Sequence, residues 1–328
     1  MFRFLFKVIL VAIIVAGGFL AYGLLLPVGP SSQQLVQLKP GSSARRIAAT
    51  LQQAGLIRSQ YAFLLWHYLS GDKSLKAGEY SFDHPSGAVE VYDRIVRGDI
   101  YLHTVVVPEG FNMFDIASAI EAAGLGKRED FLQIVHSQAD LIRDLDPKAP
   151  SLDGFLFPDT YHFTRTQSLR DMAGAMVHRF RQASHEIGLE GDIHGIVTMA
   201  SIVEKETAVP EERPVVASVF YNRMARNMAL DTDPSVIYAA LLNNRYRGTI
   251  YQSDLQFNSP YNTYRSTGLP PGPICNPGKA SLMAALHPAS TEYFYFVSDH
   301  QGHHRFARTM QEHTANVAAY RHAVAQDR

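Results

Sequence analysis

The chain has 328 residues, 46% of them apolar, with 30 basic and 31 acidic side chains, a formal net charge of −1 and a single cysteine. That length accommodates a membrane segment plus roughly two domains. The near-balance of charge excludes a basic field for nucleic acid and an acidic disordered chain, and the lone Cys275 excludes an intrachain disulfide.

The first element is apolar. Val8–Leu26 is a run of nineteen residues without a charge. At ~1.5 Å per helical residue it spans about 28 Å, close to the hydrocarbon thickness of a bilayer. Arg3 and Lys7 precede it and Lys39 is the next basic residue, so the positive-inside rule places the N-terminus in the cytoplasm and the remainder across the membrane. Leu25-Leu26-Pro27-Val28 offers no small-x-small cleavage site, which favours an anchor over a removed leader. Pro27–Ser32 reads as a linker, so residues 1–30 form a cytoplasmic tip, a membrane helix and a linker.

Residues 31–150 contain an internal repeat. Val36–Leu56 aligns without a gap on Val105–Leu125: Gly41 on Gly110, Ile47 on Ile116, Leu51 on Ile120, and Ala54-Gly55-Leu56 on Ala123-Gly124-Leu125. Each copy predicts a strand, a turn at the first glycine and an amphipathic helix closed by the second. Two copies are too few for a solenoid; small α/β units of this type recur in cell-wall-binding modules such as LysM. Between the copies, 61–70 predicts a helix, 76–82 a strand and 89–96 another helix. A helical stretch follows over 129–143.

A second domain is expected over 151–328, where the composition becomes aromatic-rich. A loop is predicted at 154–161, helices at 169–187, 195–207, 212–226 and 236–242, a long ordered loop at 261–277, a hairpin of 293–297 with 304–307, and a final helix at 310–325. Asp233 before Pro234 reads as the cap of the 236–242 helix. Helices and antiparallel strands in separate runs give an α+β fold.

Strong motifs fail. His185-Glu186 lacks the second His of a zinc helix, no G-x-S-x-G occurs, and Gly272–Ser281 has the wrong glycine spacing for a phosphate loop. His300, His303 and His304 fall in a hairpin turn, where a solvated or structural role is expected; no metal and no cofactor are implied. What remains is Met199–Thr207, where acidic residues end an apolar helix. At 100° per residue Glu206 lies within about 40° of Met199 and Ile202, with Glu204 on the other flank. Partial burial there would raise a carboxyl pKa, and a protonated carboxyl is what glycoside cleavage requires at the leaving oxygen. Tyr261, Asn262 and Tyr264 offer aromatic faces for sugars and an amide for an N-acetyl group, and Asn222 follows Tyr221 on the 212–226 helix.

These segments carry a resemblance. GFLFPDTY (154–161), MASIVEKETA (199–208), VASVFYNRM (216–224), LDTDPSVIY (230–238), YNTYRSTGLPPGPICNPG (261–278), HPAS (287–290) and YFYFVSD (293–299) closely resemble the endolytic murein transglycosylases of the YceG/MltG-like family. The likeness covers nearly the whole chain. It implies that Glu206, rather than Glu204, is the catalytic acid/base, with Tyr261, Asn262 and Tyr264 along the glycan groove; Asn222 is a further substrate-binding candidate from the residues alone. It also implies cleavage of peptidoglycan between N-acetylmuramic acid and N-acetylglucosamine to leave 1,6-anhydro ends, and contact with penicillin-binding proteins. Cys275 departs from the small residue expected there. Asp231, Asp233 and Asp254 stay open as a second carboxylate, which a water-using muramidase would need. A non-catalytic peptidoglycan-binding scaffold is the reading from another class.

Overall fold

The computed structural model describes residues 2–326. The chain divides into two compact units. One runs to His103 and includes His162–Gln167; the other comprises Thr104–Tyr161 and the chain from Ser168. The 31–150 segment is therefore shared, with the first repeat in one unit and the second in the other. Three two-stranded sheets are present among the described residues, the rest being mostly helix.

In the first unit α1 (Phe2–Leu25) is followed by β1 (Gln34–Leu38), α2 (Ala44–Gln53), α3 (Gln60–Leu69), β2 (Gly78–Phe82) and α4 (Ala88–Arg97). The strands pair antiparallel from Gln34 opposite Phe82 to Leu38 opposite Gly78. Ile47, Leu51, Phe63, Tyr80, Phe82 and Ile95 close the core, each essentially inaccessible; burying a side chain of this size contributes roughly 1.5–3 kcal/mol. Pro27–Ser32 is tied down rather than free. Val28 and Ser86 exchange backbone hydrogen bonds of 3.0 and 3.2 Å, and Arg58 donates to the Leu26 and Pro27 carbonyls at 3.4 and 3.1 Å. α1 is the one described helix long and apolar enough to cross a bilayer.

The strands β3 (His103–Val107) and β4 (Asp159–Phe163) pair, with all of β3 but His103 and the first three residues of β4 in the second unit, which also contains α5 (Met113–Ala122), α6 (Arg128–Ser137), α7 (Leu169–Glu186), α8 (Ile193–Glu206), α9 (Arg213–Ala225), α10 (Asp233–Leu242), α11 (Gln252–Leu255), α12 (Lys279–Leu286), β5 (Tyr295–Ser298), β6 (His304–Ala307) and α13 (Met310–Gln326). The two repeats end alike. Leu56 N–H bonds the Leu51 carbonyl and Gly55 the Gln52 carbonyl; Leu125 and Gly124 do the same to Ile120 and Glu121. This helix-end motif needs a left-handed residue, and Gly55 (φ +72°) and Gly124 (φ +69°) supply it.

α8 is the buried axis of the second unit and packs against α12, α9 and α10. Val197, Met199, Ala200, Ile202 and Val203 are inaccessible. The 261–278 loop is pinned to it: Ser201 Oγ accepts from Ile274 N–H at 3.0 Å, and the buried Cys275 thiol donates to the Ser201 carbonyl at 3.2 Å. Cys275 is thus a packed core residue. Asn276 ties this loop to the 154–161 segment. Its Oδ1 accepts from Gly154 and Leu156 N–H, both at 2.8 Å, and its Nδ2 donates to Phe111 O and Asp153 Oδ1, both at 2.9 Å. Asp153 also accepts from the Tyr238 hydroxyl; burial pushes its carboxyl up to about 6, with these hydrogen bonds opposing the shift.

Candidate active site

α8 ends in two glutamates with different surroundings. Four residues beyond the helix stands Pro210, and Thr207, its terminal cap, is extended (φ −140°). The Thr207 hydroxyl accepts from Val209 N–H at 3.1 Å and donates to Glu212 at 3.4 Å, so it braces the turn. Glu204 is immobilised: Arg213 Nη2 donates to Oε1 at 3.0 Å and Gly278 N–H to Oε2 at 2.9 Å, and its side chain is 5% exposed. The Glu206 side chain makes no hydrogen bond or ion pair with any described residue. It opens instead into a cleft of about 350 Å³, which Arg223, Asp231, Asp233, Tyr264, Tyr295 and His313 also line.

Burial raises the Glu206 carboxyl to about 7; the negative charge of Asp233 adds to the rise, and the Arg223 cation opposes it. Its position in the last turn of α8 acts in the same direction, because the negative end of the helix dipole disfavours a carboxylate. Arg223 is itself fixed. It donates from Nε to Phe294 O at 2.7 Å and from Nη1 to Leu230 O at 2.8 Å, approaches Asp231 at 3.5 Å, and lies 5.4 Å from the centre of the Tyr295 ring. His313 stacks on the other side of the site with Tyr295, ring centres 5.2 Å apart. Burial, and then Arg223, push its imidazole below the usual histidine value, which keeps it neutral near pH 7.

The aspartates separate clearly. Asp254 accepts from Tyr251 N–H at 2.9 Å and Arg247 Nη2 at 3.1 Å, so it closes the start of α11 and is committed there. Asp231 and Asp233 both face the cleft. Asp233 does not cap α10: the cap position belongs to Thr232, and Asp233, one residue further, accepts from the Tyr264 hydroxyl at 2.8 Å.

Of the expected groove residues, only Tyr264 lines the cleft with Glu206. Asn262 is fully buried, and its Nδ2 donates to the carbonyls of Leu255 and Phe257 at 3.1 and 2.8 Å. Its amide shapes the loop and is not presented to a ligand. Tyr261 packs on Tyr238 with ring centres 5.1 Å apart. Asn222 donates to Thr291 O and Tyr293 O at 2.9 and 3.0 Å and borders a different cleft. His303 and His304 approach Glu212 through Nδ1 at 3.2 and 2.6 Å. Arg223 and His313 were not singled out from sequence. Arg223 adjoins Asn222 in the quoted YNRM segment, which was the available signal, whereas His313 reaches the site only because α13 packs on β5 and β6.

Comparison with known proteins places this chain in a family. A protein of Bacillus subtilis described as an endolytic murein transglycosylase is 32% identical, over 94% of this chain and 91% of that protein. One of Streptococcus pneumoniae with the same description is 29% identical over 95% of this chain, which spans 64% of the pneumococcal protein. The crystal structure of a yceG-like protein from Listeria monocytogenes matches with a TM-score of 0.57 at 31% identity, covering 87% of this chain and 99% of that one. The YceG-like family itself matches residues 36–319, and the chain belongs to that family.

Proposed function

We propose that this chain is a membrane-anchored endolytic murein transglycosylase that uses Glu206 as its acid and base. The observation that carries the reading is a carboxyl at the end of a buried helix, facing an open cleft, with its pKa raised to about 7. A general acid works best with a pKa near the operating pH. Glu206 protonates the glycosidic oxygen between N-acetylmuramic acid and N-acetylglucosamine, and positive charge develops at C1. The ionised Glu206 then takes the proton of the C6 hydroxyl of the same muramic acid as that oxygen attacks C1. A 1,6-anhydro end forms, Glu206 regains its proton, and no water is consumed. Tyr264 and Tyr295 supply aromatic walls for sugar rings; Arg223 and Asp233 set the charge around the acid.

In this reading α1 anchors the chain in the inner membrane with its N-terminus in the cytoplasm, and the chain beyond α1 lies in the periplasm. The strand–turn–helix of the first unit, LysM-like in pattern, serves as a glycan-binding element. Interior cuts in nascent strands beside penicillin-binding proteins would end glycan elongation. Two carboxylates beside Glu206 support a second reading, a muramidase in which Asp233 or Asp231 activates water. Mass spectrometry of chain ends from uncrosslinked glycan separates the two. Ends lighter than the reducing sugar by one water, lost with Glu206→Gln, are expected; ends at the full reducing mass would establish the muramidase. Glycan that is bound but never cut would establish the scaffold.

A further inference from the structure

We propose that α3 is a membrane-interface helix, its outer face lying among the headgroups and upper acyl chains of the bilayer that α1 spans; this rests on the reading of α1 as an anchor. The ten residues of α3 contain no Asp, Glu, Lys or Arg. Ala62, Phe63 and His67 are buried in the first unit. Tyr61, Leu65, Tyr68 and Leu69 are 71, 40, 74 and 66% exposed. Their spacing of four, three and one sets them on one helical face. The neighbouring α2 shows what this unit presents to water: Arg45, Arg46, Gln52 and Gln53.

The position of α3 supplies the occupant. A Cβ added at Gly23 of α1 would lie 2.8 Å from the Ala62 Cβ and 3.4 Å from that of Ser59, so α3 starts against the end of the spanning helix. Leu24 belongs to the buried core that holds Ala62 and Phe63, and Leu20 packs on it. Leu20 lies about 9 Å before the end of the apolar run at ~1.5 Å per residue, so the unit's core overlaps the membrane span. Arg58, directly before α3, lies 5.1 Å from the centre of the Tyr22 ring and bonds its hydroxyl at 3.3 Å. An Arg–Tyr pair at the end of a span, beside a charge-free helix exposing tyrosine and leucine, has the composition of the bilayer–water boundary, where aromatic rings keep one end apolar and the other wet. The first unit is thereby held on the bilayer by two elements.

The test uses the full chain in phosphatidylethanolamine–phosphatidylglycerol nanodiscs, spin-labelled at single cysteines replacing Tyr61, Leu65, Tyr68 or Leu69. Val11→Cys on α1 and Gln53→Cys on α2 are the references; the native Cys275 is buried and does not take label. Relative accessibility to dissolved oxygen against a water-soluble nickel chelate should be several-fold higher at all four α3 positions than at Gln53. Water-like values on α3 with a lipid-like value at Val11 would overturn this proposal alone. A water-like value at Val11 would overturn the anchor reading and this proposal with it.

Discussion

The two flanks at the end of α8 hold the same side chain in opposite surroundings. On one flank Glu204 is buried against Arg213 and the Gly278 amide, with one hydrogen bond to each of its oxygens. On the other, Glu206 has neither a cation nor an amide bonded to it, and burial with Asp233 nearby pushes its carboxyl up to about 7. A carboxylate given partners becomes structure; one denied them holds a proton that can be transferred. The second repeat reinforces the closed flank, since Lys205 Nζ donates to Gly110 O at 3.3 Å and Gly110 N–H bonds Asn276 O at 3.0 Å.

Exchanging the two glutamates in turn should break this contrast most visibly. Glu206→Gln should lower glycan cleavage by about 10²–10⁴, the usual contribution of a general acid–base group, with the fold intact by circular dichroism. Glu204→Ala should instead destabilise the protein by about 3 kcal/mol, because the largely buried Arg213 loses its hydrogen-bonded partner; chemical denaturation measures it. Equal loss of stability in both variants would remove the distinction.

The next effect depends on pH. The Glu206 pKa is raised from 4.5 to about 7 in the fold. The folded state then binds the extra proton between those values, and the stability from protonated Glu206 is complete below about 4.5 and lost as pH rises through about 7. Glu206→Gln should therefore gain stability over the parent between pH 4 and pH 8, by at most about 3 kcal/mol. Denaturation curves at the two pH values check this. The smallest effect sharpens the open flank: Asp233→Asn removes the negative charge beside Glu206, lowers its pKa and moves the alkaline limb of the pH–rate profile down, by less than about one unit. An unmoved limb would separate Asp233 from the acid.

Local pattern made much of this legible. The repeat, α8, the 304–307 return strand and the apolar helix α1 follow from periodicity and from the glycines that close helices. The wheel placed Glu206 on the face of Met199 and Ile202, which are buried, but could not choose between the glutamates, because the partners of Glu204 come from Arg213 and Gly278. Asn262 and Tyr261 looked like sugar contacts because an amide and a ring in a loop read the same whether they face a groove or fill one. Gly154 marks a constraint that sequence alone does not expose: it sits at φ +92°, and a Cβ there would clash with Pro273. His313 and Arg223 meet Glu206 only through the packing of β5, α9 and α13.

The most direct test is the ionisation of Glu206 itself. Carbon-13 carboxyl resonances of glutamate-labelled protein, followed over pH 3 to 9 in the parent and in Glu206→Gln, would isolate its titration. A resonance titrating near 7 that is absent from the variant is the predicted result. A Glu206 carboxyl titrating near 4.5 would leave it ionised at neutral pH and contradict its role as the acid.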